Sequence, residues 1–428
     1  MRILYYDWSE FNGEDCRDAM RRLGHQVDAF KFDMPVFDLT PELDNRVKEL
    51  ASKKNPDGSR YYDLLFSFDF YPNISEACQK YDFPYVSWVF DCPHHTLYSH
   101  AAANPVNRIF VFDKLLCNAL REKGNANVNH CPLGVNEKRL AQLCLELDEG
   151  ITCDAGANKT NGSCIETVSD INADIDLDRI ARAAEDIVYE HDVTFLGNLY
   201  DNEYNFYDQV KYLPLELKGY TDAVIKASER IFGVDLFTDP NVFDQDKIDE
   251  LREYIKFEQT GKYEIDYDGV IRDILRKKVT VNERHNILVE MGKRFDTVLY
   301  TQPGTKPIEG VVDLGVANYI TKMPRVFHRS KINLNITLRS ILSGIPLRVT
   351  DILAAGGFLI TSYQAEIAEN FVDGEDLVIA YTPEDMIQKT AYYLAHDEER
   401  KQIALNGQRK AFENYAYTKL LPRVLGTP

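Results

Sequence analysis

Residues 343–361, SGIPLRVTDILAAGGFLIT, read in order as loop, helix and strand. Ser343 and Gly344 end the loop, Pro346 suits the first turn of a helix, and the helix runs from about Leu347 to Ala355. Gly356 and Gly357 then release the chain into the strand FLIT. Further strand signals, DVTFLGN, FDTVLYT, INLNIT and DLVIAY, flank this unit and alternate with helical patterns. That alternation is the mark of a parallel sheet wrapped by helices.

The charge pattern around the same stretch is unusual. From Leu314 to Ala365 the sole carboxylate is Asp351, where the chain average of 68 acidic residues in 428 would put about eight. The window also holds Lys322, Arg325, Arg329, Lys331, Arg339 and Arg348, with His328 among them. Such a local reversal of sign attracts an anion into a cleft. Free N–H groups in the first turn after Pro346 would face a phosphate, with the helix dipole adding to the attraction. Asp351, one turn further in, suits the two hydroxyls of a ribose, and it could equally pair with Arg348 three residues earlier.

Before this half, residues 1–135 alternate strands RILYYD, VDAFKF, DLLFSFDF, PYVSWVF, RIFVFD and NVNHC with helices. Asp15 to Leu23 and Leu115 to Lys123 each end at a glycine, Gly24 and Gly124. No GxGxxG follows the first strand, which removes the main support for a dinucleotide oxidoreductase. Residues 137–190 turn polar, small and acidic and read as a linker closing a first domain over 1–190. A second domain over 191–428 then carries a charged helical insert at about 202–294 and a helical tail from Thr382, with Ile403, Ala404, Ala411, Phe412 and Tyr415 on a buried face. The fold class expected is α/β: two Rossmann-like doubly wound domains facing a cleft.

Composition sets the outer limits. The balance of 49 basic and 68 acidic residues, net −19, argues against a nucleic-acid partner. No run of about 18 apolar residues offers a spanning helix, and the first residues enter a strand without an export signal, so a cytoplasmic protein is expected. Eight cysteines, all within the first 164 residues and without CxxC or zinc spacing, read as free thiols.

The run from Met323 to Tyr417, with KINLNIT, GIPLRVTDILAAGGFLIT, AEIAENF and IALNGQRKAFENYAYTKL, resembles the C-terminal domain of GT-B glycosyltransferases, in particular the bacterial CgeB-like, spore-maturation-type group. FSFDFYPNISEAC, PYVSWVFDCPHHTLYS, NRIFVFDK and HCPLGVN are similar to the N-terminal domain that accompanies it. The resemblance implies a GT-B fold with a last helix returning to the first domain. It also implies transfer of a sugar from a nucleotide-diphosphate-sugar donor, and a UDP-, GDP- or dTDP-linked donor with a glycan or protein hydroxyl as acceptor is expected; no metal or other cofactor is expected where protein cations stabilise the departing diphosphate.

In that comparison Asp351 stands where relatives have a ribose-binding acid, usually Glu, and Ser343 stands where many have a second Glu. FLGNLYDNEYN offers Gly197, Asn198 and Tyr200 but no cation, so Lys322, Arg325 and Lys331, with Arg348 and the backbone at Ser343 and Gly344, are expected to neutralise phosphate. Tyr319 is a candidate to stack on the base.

On the acceptor side, Asp91 follows the strand SWVF and is a candidate general base or sugar-hydroxyl ligand, with His94 beside it. A metal held by Asp91, Cys92, His94 and His95 is the alternative, as is a plain turn cap; Asp69 and His130 are weaker candidates. A nucleotide-sugar epimerase, or a non-catalytic nucleotide- or sugar-binding module, are the other functions open, and a homodimer is compatible with either.

Overall fold

The computed structural model describes residues 1–33, 37–148, 175–183, 187–257 and 261–427. Two six-stranded sheets form, and every strand pair within them is parallel. The first contains β1 (Arg2–Tyr6), β2 (Gln26–Phe30), β3 (Leu64–Phe68), β4 (Tyr85–Val89), β5 (Asn107–Val111) and β6 (Val128–His130), in the order β2-β1-β3-β4-β5-β6. The second contains β7 (His191–Leu196), β8 (Thr297–Tyr300), β9 (Val311–Asp313), β10 (Ser330–Asn335), β11 (Leu359–Ser362) and β12 (Val378–Ala380), in the order β12-β11-β10-β7-β8-β9. Both are doubly wound, and the order reverses between β1 and β3 in one and between β7 and β10 in the other.

The central strands β3 and β4 are buried at every residue, because helices cover both faces of the sheet. Their sequences therefore read as continuous apolar runs rather than alternating ones. Helices Gly13–Arg22 and Lys114–Glu122 stop at Gly24 (φ 81°) and Gly124 (φ 97°), a backbone conformation that only glycine adopts without strain. Thr382 caps the helix Pro383–Leu394 by accepting from the Asp385 amide at 3.1 Å.

Two expectations are corrected. The polar linker does not begin at residue 137: Glu137–Asp148 is a helix whose Leu140, Ala141 and Cys144 pack among Val349, Ile352 and Leu353 of the second domain. Those three residues fall at helical spacing, and the polar positions between them mask the pattern. The rest of that stretch, through residue 174, lies outside the described residues. The insert also ends differently. Its last helix, Tyr267–Gly292, packs at one end on Leu217, Ile225 and Phe243 of the insert and at the other, through Ile287, Leu288 and Met291, on Val193 and Leu299 of the second sheet. At 1.5 Å per residue its 26 residues span about 39 Å, enough to serve both as an insert helix and as the crossover between β7 and β8.

The domains are tied at several places. The last helix, Tyr417–Leu425, packs on the first sheet, with Tyr417 edge-on to Trp88 at 5.8 Å. Where the chain crosses between domains, Val135 exchanges backbone hydrogen bonds of 2.9 Å with Tyr415 and Tyr417. The insert reaches the first domain through Lys262–Glu76 (2.8 Å), His100–Glu264 (2.8 Å) and Lys123–Asp266 (2.8 Å). Six cysteines, among the described residues, are free thiols, and no described helix is long and apolar enough to cross a membrane.

Candidate active site

Parallel strands end together, so loops leaving the carboxyl ends of one sheet gather at one edge. Here the two carboxyl edges face each other across a cleft of about 620 Å³. From the first domain it is lined by Phe11, Phe90, Asp91, Cys92 and Phe112, which follow β1, β4 and β5. From the second come Gly197, Asn198 and Tyr200 after β7, Thr301 after β8 and Thr337 after β10, with Arg348 and Asp351 from the helix Leu347–Ala354. The second-domain wall is thus centred on the point where its strand order reverses.

Asp351 is 6 % exposed, and its Oδ1 accepts from the Tyr319 hydroxyl at 3.0 Å. Arg348 Nη1 lies 3.7 Å from Oδ2, so the ion pair anticipated as an alternative is present and the carboxylate still faces the cleft. Burial raises its pKa to about 6, against the opposing pull of Arg348, Tyr319 and Arg139. Tyr319 turns its ring onto Phe11 of the first domain (centroids 4.6 Å) and so closes the cleft as well as holding Asp351. Tyr200 has φ 59°, a conformation a side chain rarely adopts, and the turn is held by its amide on Asn198 Oδ1 at 2.8 Å.

A cation missed in the sequence completes this wall. Arg284, on the helix Tyr267–Gly292, is 8 % exposed, donates to the Ile336 carbonyl at 2.6 and 3.0 Å and to the Asn198 carbonyl, and lies 5.3 Å from the Tyr200 ring. Burial lowers the pKa of both Arg284 and Arg348, yet guanidinium groups stay charged at neutral pH. The clue was its register: Arg284 shares a helix face with Thr280, Ile287 and Leu288, all buried.

Most of the other basic residues face elsewhere. Arg325 pairs with Glu190 (2.6 Å) and Lys331 with Asp192 (2.7 Å), both near the amino ends of β7 and β10 and so opposite the cleft. Arg339 is bound to Glu283 and to the carbonyls of Ser228 and Ile231. Arg329 holds the carbonyls of Val188 and Leu147. Lys322 is exposed, with Nζ 4.9 Å from the Tyr300 ring at the cleft margin.

Ser343 and Gly344 are corrected too, because their amides already hold an anion from the same chain. Asp113 Oδ2, at the end of β5, accepts from the amides of Leu342 (2.6 Å), Ser343 (2.9 Å) and Gly344 (3.2 Å). The Ser343 hydroxyl lies 2.8 Å from Glu366, which also takes His130 Nε2 (2.7 Å) and the Lys114 amide (2.7 Å). This loop is a polar joint between the domains. A Cβ at Gly344 would meet the Phe112 carbonyl oxygen at 2.8 Å, so glycine is what lets the two backbones approach.

Across the cleft, Asp91 is exposed at the carboxyl end of β4, and the Cys92–Pro93 peptide after it is cis. Behind it Asp69, buried and at φ 58°, accepts from the amides of Phe90 and Asp91, both at 3.1 Å, and burial raises its pKa to about 6. His94 does not line the cleft: Nε2 is held by the Phe70 backbone at 3.0 and 3.2 Å, and Nδ1 lies 3.9 Å from Asp69. The four-residue metal group considered in the sequence does not converge. Cys92 donates to the Ser340 carbonyl at 3.2 Å and His95 lines a separate groove. The set that could hold an ion among the described residues is Asp69, Asp91 and His94, each offering one atom within 4.8 Å of the others.

Two doubly wound domains whose carboxyl edges share a cleft, with two guanidiniums and a buried carboxylate on one wall and an open carboxylate on the other, define a two-domain α/β protein with a charged inter-domain cleft. Residues 303–425 match the family model described as "Glycosyl transferase-like". The architecture is GT-B, as the sequence resemblance implies.

Solved structures with this general shape include HepE of Anabaena bound to UDP-glucose (10 % identity, TM-score 0.48, covering 100 % of this chain and 98 % of that one). A glycosyltransferase from Rickettsia africae ESF-5 (10 %, 0.47, covering 99 % and 97 %) and sucrose-phosphate synthase from Thermosynechococcus elongatus (10 %, 0.45, covering 100 % and 98 %) are further examples. The fold itself is defined by the strand orders of the two sheets. No curated protein sequence matches the chain significantly.

Proposed function

We propose that the protein is a glycosyltransferase that moves a sugar from a nucleotide-diphosphate-sugar to an acceptor hydroxyl, in the CgeB-like group its sequence resembles. The observation that carries this reading is the second-domain wall, where Arg284, Arg348 and Asp351 line one cleft at the point of strand reversal. The guanidiniums receive the diphosphate, whose negative charge grows as its bond to the sugar breaks, in a site partly withdrawn from water. The Asp351 carboxylate accepts from the ribose hydroxyls, and Gly197 and Asn198 bring backbone close to the phosphates without a bulky side chain. Tyr319 holds Asp351 rather than stacking on the base.

On the opposite wall Asp91 orients the acceptor hydroxyl and takes its proton as the oxygen attacks the anomeric carbon. The nucleoside diphosphate leaves with the bonding electrons. His94 and Asp69 are positioning residues: Asp69 fixes the Asp91 amide, and His94 fixes the turn that carries Asp69. With two protein cations at the diphosphate no metal is needed, so transfer is expected to persist in EDTA.

A thermal-shift series with UDP, GDP and dTDP and their sugar conjugates tests the donor. A ligand bound only by the folded protein raises its melting temperature, by about 2.7 kcal/mol of stabilisation at a hundredfold excess over Kd. If no nucleoside diphosphate binds, or if Asp351→Ala binds as tightly as the parent, the reading is wrong. Product analysis with and without acceptor then separates transfer from epimerisation.

A further inference from the structure

A second hollow, of about 760 Å³, opens beside the cleft between the insert and the loop that follows Asp91. The two are continuous along one wall: Cys92 lines the cleft and Pro93 the groove, while Lys277 lines the groove with Nζ 5.3 Å from the ring of Tyr200 in the cleft. Its lining is largely apolar, and four rings converge on it, Phe206, Tyr212, Tyr254 and Phe257. Two of these are held in water, Phe206 at 47 % and Tyr212 at 68 % exposure. Rings left in solvent around one groove mark a binding surface rather than a core.

Charge narrows the occupant. Three lysines, Lys211, Lys256 and Lys277, line the groove, and none makes an ion pair among the described residues. Of its two carboxylates, Asp273 is already spent on Arg276 at 3.1 Å, which leaves Glu253. In a chain of net −19, where most cations have acidic partners, this is a local excess of positive charge against an apolar floor.

We propose that this groove seats the acceptor, and that the acceptor is an amphipathic phosphate ester: an apolar chain against the rings, an anionic phosphate at the lysines, and a hydroxyl reaching past Pro93 to Asp91. The inference rests on the transferase reading. In the step it serves, the acceptor oxygen bonds to the anomeric carbon as the bond from that carbon to the diphosphate breaks. The hydroxyl proton passes to Asp91, and the electron pair leaves with the nucleoside diphosphate. A neutral glycan could stack on the same rings and bond to Gln209 and Glu253, but it would leave Lys211, Lys256 and Lys277 without a counter-charge.

Calorimetric titration of the full chain with decyl phosphate below its micelle concentration, decyl maltoside and inorganic phosphate tests the choice. Decyl phosphate is expected to bind at least about tenfold tighter than either of the others, a difference of about 1.4 kcal/mol. Lys211→Ala with Lys256→Ala should erase that preference, and Tyr212→Ser should weaken all alkyl ligands, while nucleoside diphosphate affinity stays unchanged in both variants. Equal affinity for decyl phosphate and decyl maltoside, preference unaltered in the lysine variant, or binding only to phosphatidic acid vesicles overturns the proposal. Nucleoside diphosphate titrated into the same preparation keeps the two ideas apart. Its failure to bind sinks the transferase reading, whereas nucleotide binding without the decyl phosphate preference sinks only the acceptor.

Discussion

Replacing Asp351 by Asn should make the empty protein more stable and cost it its donor. The carboxyl is 6 % exposed and its pKa is raised from 3.8 to about 6, burial outweighing the help of Arg348 and Tyr319. Each pKa unit corresponds to about 1.4 kcal/mol, so the ionised group costs the folded state about 3 kcal/mol above pH 7. The sign follows from proton uptake. Between pH 4 and 6 the folded protein holds a proton that the unfolded chain has released, so wild-type stability falls as pH rises through that window and stays low beyond it. Asn keeps the Tyr319 hydrogen bond and carries no charge. The gain of Asp351→Asn over wild type should therefore be near zero at pH 4 and reach about 3 kcal/mol at pH 8.

For a domain of this size that is a rise in melting temperature on the order of 6–10 °C, read by calorimetry across the pH series. Two hydrogen bonds to a charged acceptor are worth about 3 kcal/mol or more together, so Kd for the nucleoside diphosphate should weaken about a hundredfold at pH 8. Wild-type binding should itself decline below pH 6 as the carboxyl protonates. Unchanged stability at pH 8, or unchanged nucleotide affinity in Asp351→Asn, would refute the reasoning.

Tyr319→Phe removes the donor 3.0 Å from Asp351, so the carboxyl should titrate higher and the pH midpoint of nucleotide binding should move up, read by titration calorimetry at a series of pH values. Gly344→Ala sets a methyl 2.8 Å from the Phe112 carbonyl and 3.0 Å from Asp113 Cα, both backbone. The domains must part there, costing about 1–3 kcal/mol in chemical denaturation and enlarging the radius of gyration in solution scattering. Arg284→Lys keeps the charge but cannot serve two carbonyls with a planar fork. It should lower stability by about 1–3 kcal/mol in thermal melts and weaken nucleotide binding in the same direction.

Legibility in the sequence followed burial. Strands β3 and β4 were plain because both faces are covered and every position is apolar or small. β9, Val311–Asp313, leaves no apolar signal in the sequence because it is a three-residue edge strand, intermediate or exposed throughout. The helix Glu137–Asp148 resembles a linker in sequence because it buries only one narrow face, against another domain.

Charge was legible as a count and illegible as a direction. Arg348 and Arg325 belong to the same carboxylate-poor window, yet one lines the cleft and the other meets Glu190 outside it. Lys331 sits at the wrong end of β10, since a six-residue strand carries its two ends about 17 Å apart. Arg284 lies outside that window altogether, on a helix whose sequence does not distinguish it from the insert before it.

The sequence by itself determined two parallel sheets, the helix starting at Leu347 and the isolation of Asp351 among basic neighbours, because each is a local pattern of apolar period, capping and charge. Tertiary structure alone decided which cations meet that carboxylate, that Asp113 occupies the amides of Ser343 and Gly344, and that the loop after Asp91 lines both the cleft and a second groove. Those outcomes depend on contacts between residues far apart in the chain, and an ion pair depends on distance in space, which local sequence does not encode.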